Sequence, residues 1–191
     1  MTHMAVPSNA IKAATSLPQR ASTGKRFGAR DLPIFLLVAL VVLVLDQVSK
    51  VLIINRLGPD EGTAAIRVVG DWLRLVYVTN TGSAFGLFPD RSLLFMIIAV
   101  LAIPFLLFVY RQVGEYGWPS RVSIGLLLGG TLGNLVDRVR LGYVVDFVDA
   151  GVNDLRWFTF NVADSSFVIG VLVLCVFMLL STPGGEGERR T

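Results

Sequence analysis

The sequence predicts an all-α integral membrane protein, four transmembrane helices with a small β-sheet-like segment on the outer face. Three observations carry that prediction. The 191 residues are 53% hydrophobic and 16% charged, against roughly 25% charged in soluble domains, and the mean hydropathy is +0.66. Four apolar stretches, at residues 33–54, 93–110, 122–136 and 162–180, approach the ~20 residues that a bilayer core of about 30 Å requires. Between the first two, IRVVGDWLRLVYV alternates about a Gly70–Asp71 turn, the pattern of a hairpin.

Taken in order, residues 1–32 read as a disordered basic leader, rich in Ala, Ser and Thr and without apolar periodicity. It carries Lys12, Arg20, Lys25, Arg26 and Arg30, with no acid before residue 31. The 55–91 connection instead mixes Arg56, Arg67, Arg74 and Arg91 with Asp60, Glu61, Asp71 and Asp90. The lysine and arginine bias places the N-terminus in the cytoplasm. Four spans then return the 182–191 tail to the same side and put segments 55–91 and 138–161 outside. Residues 33–181 form one membrane domain.

The first stretch reads as an uncleaved span, because no small-residue cleavage site follows Leu45 and DQVSK leads into more apolar residues. Asp46 and Lys50 lie four apart on one helical face. As an intramembrane pair they mark either a structural salt bridge or a functional site. In the third stretch Gly125, Gly129 and Gly133 form a small-residue stripe that lets a neighbouring helix approach closely. Asn134, Asp137 and Arg138 continue that helix outward as scaffold or as site. The third stretch is short and is expected to extend through Asp137 and Arg138.

Two carboxylates border the apolar segments, Asp146 in GYVVDF and Asp164 in FNVADS. Each has a bland explanation. Asp164, with Asn161, suits the N-terminus of the last span, where short polar side chains satisfy orphan amides. Asp146, with Asp149 and Asp154 nearby, suits a solvated loop. Together they suit an aspartic-protease dyad, since two carboxylates in one low-dielectric site share a proton instead of both ionising.

The ordered blocks DQVSK, NTGSAFGLF, GGTLGNLVDRVRLGYVVDFVD and FNVADSSFVIG resemble the type II signal peptidase family, the lipoprotein signal peptidases of bacteria, over about residues 33–181. The resemblance implies a four-span aspartic endopeptidase of the bacterial inner membrane with its active site at the outer face. Its action is to remove the signal peptide from a prolipoprotein by cleaving before a cysteine that bears a diacylglyceryl group. Carried over by position, Asp146 and Asp164 are similar to the catalytic dyad. Asn80, Gly82, Asn134, Arg138 and Asn161 match polar positions that line the site, and Asp46, Lys50 and Asp137 match structural polar positions. The sheet-like outer segment is implied to cradle substrate at the membrane surface. The expected partners are prolipoprotein substrates and membrane lipids, with the enzyme acting as a monomer.

Other chemistries fit the residues less well. Although the net charge is +3 and the pI near 9.4, the basic residues form no stripe interleaved with aromatics, so no nucleic-acid partner is expected. A proton-coupled transporter places its carboxylates at mid-membrane between repeated halves, and no repeat occurs here; an intramembrane protease of the presenilin kind also uses two aspartates, but the sequence has no GxGD run. The only histidine is His3 and the only cysteine is Cys175, in the apolar middle of the last span, where a thiol reads as a small buried hydrophobe. No His-activated nucleophile, metal site or cofactor is therefore expected.

Overall fold

In a computed structural model of the chain, residues 32–58, 64–82, 88, 90–113, 117–153 and 155–181 are described. The expectations for the leader before Leu32, for Asp60, Glu61, Ser83–Leu87 and Asp154, and for the tail after Ser181 lie outside the described residues. The elements run α1 (Leu32–Leu57), β1 (Ile66–Val69), β2 (Leu73–Asn80), α2 (Ser92–Val113), α3 (Trp118–Leu141), β3 (Val144–Val152), β4 (Leu155–Arg156) and α4 (Val162–Ser181). The first helix thus starts one residue before the expected boundary.

The helices are sorted by what their outer faces meet. Along α1, Phe35, Ala39, Val42, Asp46, Lys50, Ile53 and Leu57 are buried, at spacings of three and four that trace one stripe. The rest of its surface exposes Leu37, Leu40, Leu45 and Leu52. An apolar exposed face of this kind is stable in lipid and costly in water. Three described helical segments, Ile34–Leu57, Ser92–Gln112 and Val162–Leu180, are long and apolar enough to cross a membrane. Helix α3, expected as the third span, has 24 residues but does not meet that apolar composition.

The reason is its position, since α3 packs against α1, α2 and α4. It buries Ser120, Ser123, Asp137 and four glycines. A Cβ at Gly125 would lie 2.9 Å from the Phe35 carbonyl oxygen, and one at Gly129 would lie 2.7 Å from the Val42 Cβ. Real Cβ contacts are not this short, so the glycine stripe sets the α1–α3 approach. On the α4 side, a Cβ at Gly170 would lie 2.9 Å from the Ser123 carbonyl oxygen. At one end of the bundle Phe35, Leu106, Tyr110, Ile124, Leu127 and Leu128 form a core.

A four-stranded antiparallel sheet in the order β1-β2-β3-β4 closes the other end. The hairpin falls where the alternation put it, with Gly70 at φ +51 in the turn. Strands β3 and β4 were not expected within the outer segment 138–161, and they exclude the solvated-loop alternative for Asp146. Val144, Val145, Asp146 and Phe147 are all buried. With both faces covered no period-2 alternation remains to be seen. Ile53 and Leu57 of α1 pack with Tyr77, Val145 and Phe147, fixing the sheet to the bundle. Gly142, left-handed at φ +84 and donating its N–H to the Arg138 carbonyl, ends α3 and turns the chain into β3.

Candidate active site

Four separate elements converge where the sheet meets the bundle. Strand β2 ends at Asn80, whose Nδ2 donates to Asp146 Oδ2 at 2.8 Å. Its Oδ1 accepts the Gly82 N–H at 2.9 Å, which fixes the amide's orientation. Asp146 sits on β3 with its strand partner Val78 opposite and is 3% exposed. Helix α4 begins immediately after Asn161, and there the sequence forms a reciprocal cap. The Asp164 N–H donates to Asn161 Oδ1 at 2.9 Å, and the Asn161 N–H donates to Asp164 Oδ2 at 3.2 Å. The Asn161 side chain, locked in this way, donates through Nδ2 to Asp146 Oδ1 at 2.7 Å. One residue therefore ties both carboxylates together.

Helix α3 supplies the matching contact to Asp164, with Asn134 Nδ2 donating to its Oδ1 at 2.7 Å. Asn134 Oδ1 accepts from Asn161 Nδ2 at 3.1 Å and from Lys50 Nζ at 3.0 Å. Arg138, one turn further, donates through Nη2 to the Gly82 carbonyl at 2.9 Å and lies over the Phe95 ring. Its buried Nε has no hydrogen-bond partner among the described residues. Burial first, and then the Asp164 charge, push the Asp146 carboxyl up to about 7, against the pull of the Asn80 and Asn161 hydrogen bonds. Such a group exchanges a proton near neutral pH.

Deeper in the bundle lies the second acid group. Lys50, 2% exposed, pairs with Asp46 and with Asp137, each at 2.8 Å. Asp137 Oδ2 also accepts the Val145 N–H, and Asp46 Oδ1 accepts the Ala163 N–H. The triad thus pins β3 and the start of α4, the two elements that carry Asp146 and Asp164. Gln47 joins it through Nε2, donating to Asp137 Oδ1 at 2.9 Å. The sequence reading missed Gln47, and its neighbour Asp46 in DQVSK was the only signal for it. Among the described residues no cluster of three or more His, Cys, Asp or Glu is placed to hold a metal ion.

A pocket of roughly 320 Å³ opens beside the two carboxylates, lined by Asp146 and Asp164 and by Trp157, Phe158, Phe160, Val168 and Ile169. Its walls are mainly apolar with a few polar groups among them, as in ligand sites generally. Cys175 is exposed on α4, which corrects its reading as a buried hydrophobe. That helix carries apolar residues on both its inner and its outer face, so hydropathy alone does not tell them apart.

The sequence profile of the family described as signal peptidase (SPase) II matches residues 38–180. This chain belongs to the signal peptidase II family. Membership makes it a peptidase, and the relatives agree. The lipoprotein signal peptidase of Moorella thermoacetica is 43% identical over 155 residues, covering 81% of this chain and 97% of the relative. That of Clostridioides difficile is 37% identical over 148 residues, covering 76% and 95%. A solved structure of a bacterial membrane enzyme, obtained by the in meso method, superposes with a TM-score of 0.71 at 31% identity, covering 82% of this chain and 94% of the other. A second superposes at 0.67 with 32% identity. The fold is that of a membrane enzyme, with three apolar helices and a small antiparallel sheet.

Proposed function

We propose that this peptidase cleaves prolipoproteins immediately before the diacylglyceryl-modified cysteine, with Asp146 and Asp164 activating water. The observation that carries this reading is that two carboxylates, linked through Asn161, receive hydrogen bonds from amides and no ion pair from any lysine or arginine among the described residues. With no cation in direct contact, the pair holds one proton between its members. The ionised member takes a proton from water as the water oxygen attacks the scissile carbonyl carbon. The protonated member donates to the carbonyl oxygen. Collapse of the tetrahedral species breaks the C–N bond, and the proton passes to the departing cysteine amine. Asn80, Asn134 and Asn161 orient the carboxylates. Gly82 and Arg138 orient the site, Arg138 holding the Gly82 carbonyl through Nη2 and Gly82 holding the Asn80 amide that meets Asp146.

The same reading makes α3 the third of four spans. Its 24 residues cover roughly 36 Å, and its polar groups turn inward onto neighbouring helices, so lipid need not meet them. Both termini are cytoplasmic, the sheet lies at the outer face, and the enzyme works as a monomer. The apolar pocket walls suit a lipidated substrate that arrives sideways from the bilayer. The test is cleavage of a purified diacylglyceryl-modified prolipoprotein by the reconstituted protein, beside the same prolipoprotein without lipid. Release of a signal peptide that ends one residue before the cysteine, from the lipidated form only, is expected. Failure to cleave the lipidated form would overturn the reading.

A further inference from the structure

We propose that Asp149 is a positioning residue for substrate binding, acting through Arg156 to hold the aromatic wall of the pocket against the two carboxylates. The inference deepens the prolipoprotein reading and rests on it. After β4 the chain runs through Trp157, Phe158, Thr159 and Phe160, which line the same pocket as Asp146 and Asp164. Little of this segment is buried, with Leu155 85%, Trp157 63% and Phe158 49% exposed. Apolar packing therefore does little to place it.

Backbone contacts hold its two ends. The Trp157 N–H donates to the Ala150 carbonyl at 2.7 Å, and Phe160 exchanges hydrogen bonds with Val148, at 3.1 Å and 2.8 Å. Next to the first of these contacts the side chain of Arg156 reaches back across the sheet. Its Nε donates to Asp149 Oδ1 at 2.6 Å, its Nη2 to the Asp149 carbonyl at 3.2 Å and its Nη1 to the Asp71 carbonyl at 3.1 Å. The other carboxylate oxygen of Asp149 is taken by Arg74, through Nε at 3.0 Å and Nη2 at 2.6 Å.

One buried carboxylate thus clamps β2, β3 and β4 together, with two arginines that repel each other without it. Burial alone would raise the Asp149 carboxyl, but hydrogen bonds from Arg156 and Arg74 outweigh it and hold it below the usual carboxylate range. Gly151 supplies an independent sign that the clamp is tight, since a Cβ there would lie 2.6 Å from the Arg156 Cα. None of these hydrogen bonds reaches Asp146 or Asp164, whose donors are Asn80, Asn134 and Asn161. Loss of the clamp therefore loosens the wall and leaves the carboxylate pair in place.

Two measurements on the full-length reconstituted protein test this. In the first, Asp149→Asn is expected to raise KM for the diacylglyceryl-modified prolipoprotein about tenfold, the loss of one charge-assisted contact, with kcat kept. Gly151→Ala should move KM the same way by pushing Arg156 off β3. In the second, Trp157 is made the sole tryptophan by Trp72→Phe and Trp118→Phe, and Asp149→Asn is expected to increase its quenching by acrylamide and lower its anisotropy. Unchanged KM with unchanged Trp157 emission overturns the proposal. So does a fall in kcat at constant KM with unchanged emission, which marks a purely structural acid. If the unsubstituted enzyme cleaves no prolipoprotein, the reading of the substrate fails, and the Trp157 signal still decides whether Asp149 holds the wall.

Discussion

The acids of the bundle and the acids of the pocket are satisfied in opposite ways. Asp46 and Asp137 share Lys50, each at 2.8 Å, and each also accepts a backbone N–H of an element it supports, Ala163 on Asp46 Oδ1 and Val145 on Asp137 Oδ2. Asp146 and Asp164 receive only neutral donors, from Asn80, Asn134, Asn161 and the Asn161 backbone. A buried carboxylate tied to a cation and to backbone amides acts as a strut. A buried pair given amides instead is oriented as firmly but keeps a proton to exchange. Asn134 stands on the boundary, since its oxygen accepts from Lys50 while its nitrogen serves Asp164.

The largest expected effect breaks the pocket side of that contrast. Asp146→Asn or Asp164→Asn should lower prolipoprotein cleavage by about three orders of magnitude or more, because the two members act as a unit. Membrane insertion should be intact. Near-normal turnover in a correctly inserted variant would remove the pair from the chemistry. On the bundle side, Lys50→Met leaves two buried carboxylates without their cation and should cost about 3–5 kcal/mol of stability, read as a fall in melting temperature in detergent. An unchanged melting temperature with lost activity would move the triad into the catalytic apparatus.

A subtler probe is the pH profile. The Asp146 carboxyl lies near 7, above its ordinary value, so the pair retains its proton where a free carboxyl has lost it and loses it as pH rises through neutrality. kcat/KM is expected to fall on the alkaline side with an apparent pKa of about 7, approaching tenfold per pH unit. Activity that climbs steadily to strongly alkaline pH would contradict a shared proton. The smallest effect is expected at Cys175, which is exposed on α4 away from both acid groups. Cys175→Ala should change stability by no more than about 0.5 kcal/mol, and thiol alkylation should leave cleavage intact.

How much of this was legible in the sequence depended on how local the determining contacts are. The apolar helices declared themselves because lipid demands an unbroken apolar run. The hairpin did so through the alternation about Gly70. The Asn161–Asp164 cap was readable as two polar residues three apart, and Asp46–Lys50 as a pair four apart. Strand β3 was hidden because both its faces are covered. Asp149 carried no signal of its own because its partners are remote. Arg74 faces it only through the β2–β3 register, and no local pattern foretells which residues of two distant strands stand opposite each other. Helix α3 was legible as a short apolar stretch at 122–136 with a glycine packing stripe, although its inward-facing polarity takes it below the apolarity of a lipid-facing span.

Val168 and Ile169 line the pocket and are half-exposed on α4; if the proposed substrate enters past them from the bilayer, they alter what substrate concentration means for this enzyme. A site entered across a lipid-facing helix samples a two-dimensional solution, in which encounter depends on substrate per lipid and not on substrate per litre. Its KM then has the units of a mole fraction. Adding detergent or lipid at fixed amounts of enzyme and substrate dilutes the reaction, and doubling the assay volume at constant membrane does not.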